Sequence, residues 1–125
     1  MRKIGLAVVK KDAEIPEETT EFIIGMVKTS LKTGDSIFVA DNFRVRDSEN
    51  RPCSIDIESR VSGRVVDTVI FFSKSEAIFW KRMFPVLRKV IFITNKEETT
   101  LEGEGGIIVV NEKDVTSSFR NKFIL

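Results

Sequence analysis

Asp67-Thr-Val-Ile-Phe-Phe72, followed at once by Ser73-Lys-Ser-Glu76, is the stretch on which the fold turns. Its β-branched and aromatic residues run without polar alternation, the pattern of a strand covered on both faces of a parallel sheet. Ser73 and Glu76 have the spacing of a capping box, so a helix is expected to start where the strand stops. Ala77, Trp80, Met83, Phe84 and Leu87 make its apolar face, and Pro85, which has no amide to donate, predicts an end or kink near Phe84.

Two similar runs flank this one, Ser36-Ile-Phe-Val-Ala40 and Val90-Ile-Phe-Ile93. Both stop abruptly in small polar residues, Asp41-Asn42 and Thr94-Asn95, as the first stops in Ser73-Lys74-Ser75. Ile4 to Val9 and Ile107 to Val110 supply two further strands, the latter after a Gly105-Gly106 turn. A helix is predicted from Pro16 to Lys32, with Glu17 and Glu18 at its positive end, Lys28 and Lys32 at its negative end, and Gly34 beyond it. Its core stripe is Phe22 or Ile23, Met26, Val27, Ser30 and Leu31.

Residues 42–66 fit two patterns. As a helix, Ser54 caps, Ile57 and Val61 align and Gly63 ends it. As a hairpin, Phe43 and Val45 alternate on one arm, Ile55 and Ile57 on the other, with residues 47–52 turning between them. A short helix is also expected from about Thr116, aligning Phe119 with Phe123 and burying Ile124 and Leu125 in the domain or in a dimer contact. The element order predicts one α/β domain over residues 1–125: three layers, with helices on both faces of a mostly parallel five-stranded sheet. In general form this is Rossmann-like or flavodoxin-like.

Composition narrows the chemistry. The chain has no histidine and a single cysteine, Cys53. Histidine-based triads, the usual zinc sites and an internal disulfide are therefore excluded within one chain. Twenty basic residues balance nineteen acidic ones, so no global charge draws nucleic acid or an anionic membrane. Five of the nine arginines (Arg44, Arg46, Arg51, Arg60, Arg64) lie in one segment, but six acids accompany them, and a salt-bridged surface is the expected outcome. No run reaches the roughly 18 apolar residues of a membrane span, and the N-terminal stretch lacks signal-peptide form, so a cytoplasmic location is expected. Abundant Lys and Glu with no Tyr or Gln match heat-adapted proteins, suggesting a thermophilic source.

Ligands of open parallel sheets sit just beyond the carboxyl ends of the strands. Most candidate residues follow from that rule, and Arg44 and Arg46 are added from the arginine-rich segment as groups that could close over an anion. Asp41 is placed as a general base, and Asn42, Arg44, Arg46, Ser73, Lys74, Ser75, Thr94 and Asn95 as ligand contacts. Ser73, Lys74 and Ser75 would offer an anion the free amides of a helix start, two hydroxyls and an ammonium. The competing account of each is structural: capping for Ser73, turn formation for Asp41 and Asn42. Glu97, Glu98, Glu102 and Glu104 read as hydrated surface acids, and residues 102–106 as a turn, not a phosphate loop. Trp80 and most phenylalanines read as core, with Phe43 the exception. No cofactor and no metal are expected, since the dinucleotide fingerprint is absent. The leading functional expectation is binding of a nucleotide or other phosphorylated metabolite at the carboxyl edge. Whether the chain is an enzyme, as a transferase or hydrolase, is left open, and the alternative is a non-catalytic homodimeric interaction or regulatory domain.

Overall fold

The computed structural model of the chain describes residues 3–97 and 105–125. Strands β1 (Gly5–Val9), β2 (Ser36–Ala40), β3 (Val45–Arg46), β4 (Pro52–Cys53), β5 (Thr68–Phe71), β6 (Lys89–Thr94) and β7 (Ile107–Asn111) form one sheet. The helices are α1 (Glu17–Ser30), α2 (Ile57–Ser62) and α3 (Lys74–Met83). A single π-type turn, Arg120–Ile124, ends the chain.

The strand order is β4-β3-β2-β1-β5-β6-β7. The β2, β1, β5, β6 and β7 strands are mutually parallel, while β3 and β4 add antiparallel to β2. The sheet therefore has seven strands where five were expected, because segment 42–66 makes a short hairpin and then a helix; the hairpin returns through Pro52–Cys53, and the expected arm through Ile55 and Ile57 is not formed, since Ile57 opens α2. The hairpin occupies Val45 to Cys53 and the helix starts at Ile57. Pro52 is tolerated because β4 is the outermost strand, where a missing amide leaves no ladder bond unmade.

Alternation along the strands divides the core. Leu6, Val8, Ile37, Val39, Ile70, Ile91 and Ile93 face α1 and the C-terminal turn through Ile23, Ile24, Val27, Phe119 and Ile124. Ala7, Val9, Val69, Phe71, Val90 and Phe92 face α2 and α3 through Ile57, Val61, Ala77 and Trp80. Each such aliphatic or aromatic side chain contributes about 1.5–3 kcal/mol when fully buried, so both layers are needed to hold the helices down. Burial on both faces is why β5 and β6 carry no polar alternation.

Several local expectations are corrected. The α1 helix ends at Ser30, leaving Lys32 outside, and Gly34 (φ +95°) serves the Lys32–Asp35 turn beyond it. Ile23 takes the core position, while Phe22 is exposed. Asp56, not Ser54, caps α2 by accepting from the Ser59 amide at 2.7 Å. Met83 lies on the exposed side of α3, and Leu125 is half-exposed although Ile124 is buried. The α3 helix stops at Met83 with Phe84 as its cap, as Pro85 requires. Glu98, Glu102 and Glu104 lie outside the described residues.

Candidate functional site

Parallel strands bring the exits of β1, β2, β5 and β6 to one edge of the sheet. Adjacent strands are about 4.8 Å apart, so Asp41 after β2 and Thr94 at the end of β6, three places away, are separated by roughly 14 Å. The exits share an edge without sharing a pocket.

The pocket at this edge has a volume of about 350 Å³. Val9 and Lys11 reach it from the end of β1, Ala40 from β2, and Asp41, Asn42, Phe43 and Arg44 from the turn into β3. Ile57 and Glu58 at the start of α2, with Glu76, Phe79 and Trp80 on α3, form the opposite wall. Of the predicted residues, Asp41, Asn42 and Arg44 line it; Arg46, Ser73, Lys74, Ser75, Thr94 and Asn95 do not. Sequence reasoning assigned Trp80 to the core, and Trp80 is only 4% exposed, its ring packed at a tilt against those of Phe71 and Phe84. It still forms part of the cleft wall. Phe79 was missed, although an apolar residue off the buried stripe of an amphipathic helix was a usable signal.

Asp41 sits between two cations. Its Oδ1 lies 3.1 Å from Lys10 Nζ and its Oδ2 accepts from Arg46 Nε at 3.0 Å. Lys10 also donates to Glu17 at 2.5 Å and Glu21 at 2.7 Å, and Arg46 to Glu21 and Asn50. Strand alternation explains the cluster: Val9 points to the cleft, so Lys10 points to the opposite face, beneath Glu17 and Glu21 on α1. Burial alone would raise the Asp41 carboxyl and lower the Lys10 ammonium. The hydrogen bonds outweigh burial in both, holding Asp41 below the usual carboxylate range and raising Lys10 above its own. A carboxylate so held is a weak base. Its evident work is to pin the β2–β3 turn, where the Asp41 amide also donates to the Arg44 carbonyl at 2.8 Å.

The start of α3 is likewise engaged. Ser73 is buried and caps the helix, accepting from the Glu76 amide at 3.3 Å. The Lys74 amide, which an anionic ligand would take, donates to the Glu14 carboxylate at 2.5 Å. The Glu14 amide also bonds to the Phe72 carbonyl, so the β1–α1 loop closes over this crevice with its own anion. Thr94 is buried and accepts from the Lys96 amide, while Asn95 is exposed. Cys53 lies in β4, not at a helix start. Of the five clustered arginines, Arg46 and Arg51 are ion-paired and Arg60 lies over the Phe38 ring at 3.9 Å. Among the described residues, no acidic or cysteine cluster is placed to hold a metal ion, and no helix is long and apolar enough to cross a membrane.

A pH dependence follows. Asp35 and Asp41 both have folded pKa values below their unfolded ones, so their stabilisation is complete above about pH 4 and is lost as pH falls through the folded values. No histidine titrates between about pH 5 and 8. The melting temperature should be level across that interval and fall steeply below about pH 4. Thermal scans from acid to neutral pH check this, and a step between pH 5 and 8 would contradict it.

Comparison with known proteins returns no matching family model, curated protein or solved structure.

Proposed function

We propose that this chain is a small-molecule-binding α/β domain whose ligand enters the cleft beyond β1 and β2 ring first. Setting the hairpin aside, the parallel strands run in the order 2-1-3-4-5, that of flavodoxin-like doubly wound sheets, which bind at their carboxyl edge. The observation that carries the reading is the cleft wall itself. Phe43, Phe79 and Trp80 offer aromatic surface, and Asn42, Arg44, Asp56 and Glu58 offer polar groups along one rim. A nucleoside fits that division, its base against the rings and its hydroxyls towards the carboxylates.

The phosphate of a nucleotide is the part least well served. Four carboxylates and two cations line the cleft, and the α3 amide is already bonded to Glu14. Catalysis by Asp41 finds little support in a carboxylate held by Lys10 and Arg46. The reading is one of binding through ring and sugar.

Trp80, the only tryptophan, reports on its own pocket. Titration with adenosine, AMP and ATP should quench its fluorescence, with adenosine binding at least as tightly as ATP. Phe79→Ala should weaken adenosine roughly tenfold, the loss of one aromatic contact. ATP binding tenfold tighter than adenosine, and weakened by Lys74→Ala, would restore the phosphate site. No quenching by any of the three at about 1 mM would sink the ligand reading.

Self-association is a second reading, favoured by one specific observation. Phe43 is fully exposed, and Phe79, Met83 and Val86 are each more than half exposed on the α3 side of the molecule. In the C-terminal tail Phe119 and Ile124 are spent on the core, and only Leu125 is half exposed.

A further inference from the structure

Phe43 stands at the tip of the tight Asp41–Arg44 turn with 101% relative exposure, beside a cleft it helps to line. The turn that carries it is pinned through Asp41, Lys10 and Arg46, so the ring projects into water from a fixed backbone position as a knob. The adjoining hole is of the size that accepts a single ring and is walled by Ala40, Val45, Ile57, Phe79 and Trp80. A twofold axis needs one patch to carry both halves of a contact, so that residue i meets j while j meets i. Here one patch carries both knob and hole.

The charges on the rim satisfy the same condition. Lys11 and Arg44 lie among Asp56, Glu58 and Glu76. Among the described residues the Arg44 guanidinium makes no ion pair or hydrogen bond, and it follows Phe43 directly in the chain. A patch of one sign would repel its own copy; a mixed one pairs with it on rotation.

Resting on the self-association reading, we propose that two copies of this chain pair across a twofold axis by exchanging Phe43. The ring of each enters the partner's cleft against Phe79 and Trp80, and Arg44 of each meets the acidic rim of the other at Glu58. Phe79 and Met83, one turn apart on α3, widen the contact. Partner and small ligand then compete for the same space, so a bound nucleoside opens the dimer.

Sedimentation velocity over about 1 to 100 µM chain tests the pairing. Wild type should show a concentration-dependent dimer, Phe43→Ala a monomer throughout, with unchanged melting temperature at the lowest concentration. Arg44→Glu and Glu58→Arg should each weaken association roughly tenfold, and the double swap should recover most of it. A wild-type monomer at about 100 µM would overturn self-association and this inference with it. A wild-type dimer indifferent to Phe43→Ala and to the charge swap would leave self-association standing and overturn the cleft exchange alone.

Discussion

Arg120→Ala should lower the melting temperature by roughly 10 °C or more, from a loss of about 3–5 kcal/mol. Arg120 lies in the C-terminal turn, yet its side chain is only 3% exposed, and it donates through Nε to Asp35 Oδ2 at 2.5 Å. The Asp35 side chain is 1% exposed and also accepts from the Ile4 and Lys32 amides, at 2.9 and 2.8 Å. Burial alone would raise the Asp35 carboxyl; the hydrogen bonds from Arg120, Lys32 and Ile4 outweigh it and hold it low. Removing the guanidinium strands a buried carboxylate with two backbone donors. Because Asp35 also ties the start of β1 to the turn before β2, the loss spreads to the sheet. Asp35→Leu with Arg120→Met should recover part of the stability, since apolar pairs often replace buried ion pairs without penalty, but not the two backbone bonds. Differential scanning calorimetry decides the matter, and a shift under about 2 °C for Arg120→Ala would refute the clamp.

Gly5→Ala should be at least as damaging, about 3 kcal/mol or more, at the upper end of overpacking costs. A Cβ on Gly5 would lie 1.8 Å from the Val65 carbonyl oxygen and 3.2 Å from Val66 Cα. Those atoms are backbone, in the link from α2 to β5, so no side-chain rotation relieves the clash. Gly5 is also bonded through its carbonyl to the Asp67 amide at 2.9 Å, which keeps that link close. Gly25→Ala is the control. Nothing lies within 4 Å of a Cβ there, and the position is inside α1, where alanine gains about 0.5–1 kcal/mol over glycine. Urea denaturation of the two variants should move in opposite directions; equal midpoints would show that β1 does not need its glycine.

How much of this was legible beforehand depends on how far apart the interacting residues are. The Ser73 cap, the Phe84 stop before Pro85 and the Ile57–Val61 pair are written within a few residues of one another, and each is found where the local pattern puts it. Segment 42–66 misled because hairpin and helix were weighed as alternatives for the same residues. The hairpin returns through Pro52–Cys53 and not through Ile55 and Ile57, which leaves Ile57 to Ser62 for the helix, so the chain makes one of each.

The cleft was less legible. Asp41 and Asn42 follow from position at a strand exit and Arg44 from the arginine-rich segment, and all three line the pocket. Nothing local announces that Lys10 reaches Asp41, or that Glu14 takes an amide 60 residues away at Lys74. Both bonds change the chemistry of the candidates: one makes Asp41 a poor base, and the other fills an anion slot from within.

Unbroken apolar runs and their polar exits, read alone, determined a largely parallel α/β sheet with Asp41, Ser73 and Thr94 at its carboxyl edge, because periodicity and capping act over a few residues. Only the tertiary structure decided which exits meet in a cleft, which are sealed by Lys10, Arg46 and Glu14, and that Asp35 finds Arg120 at a separation of 85 residues. Those outcomes rest on strand order and on the face each side chain takes, and strand order is settled by the packing of both core layers at once.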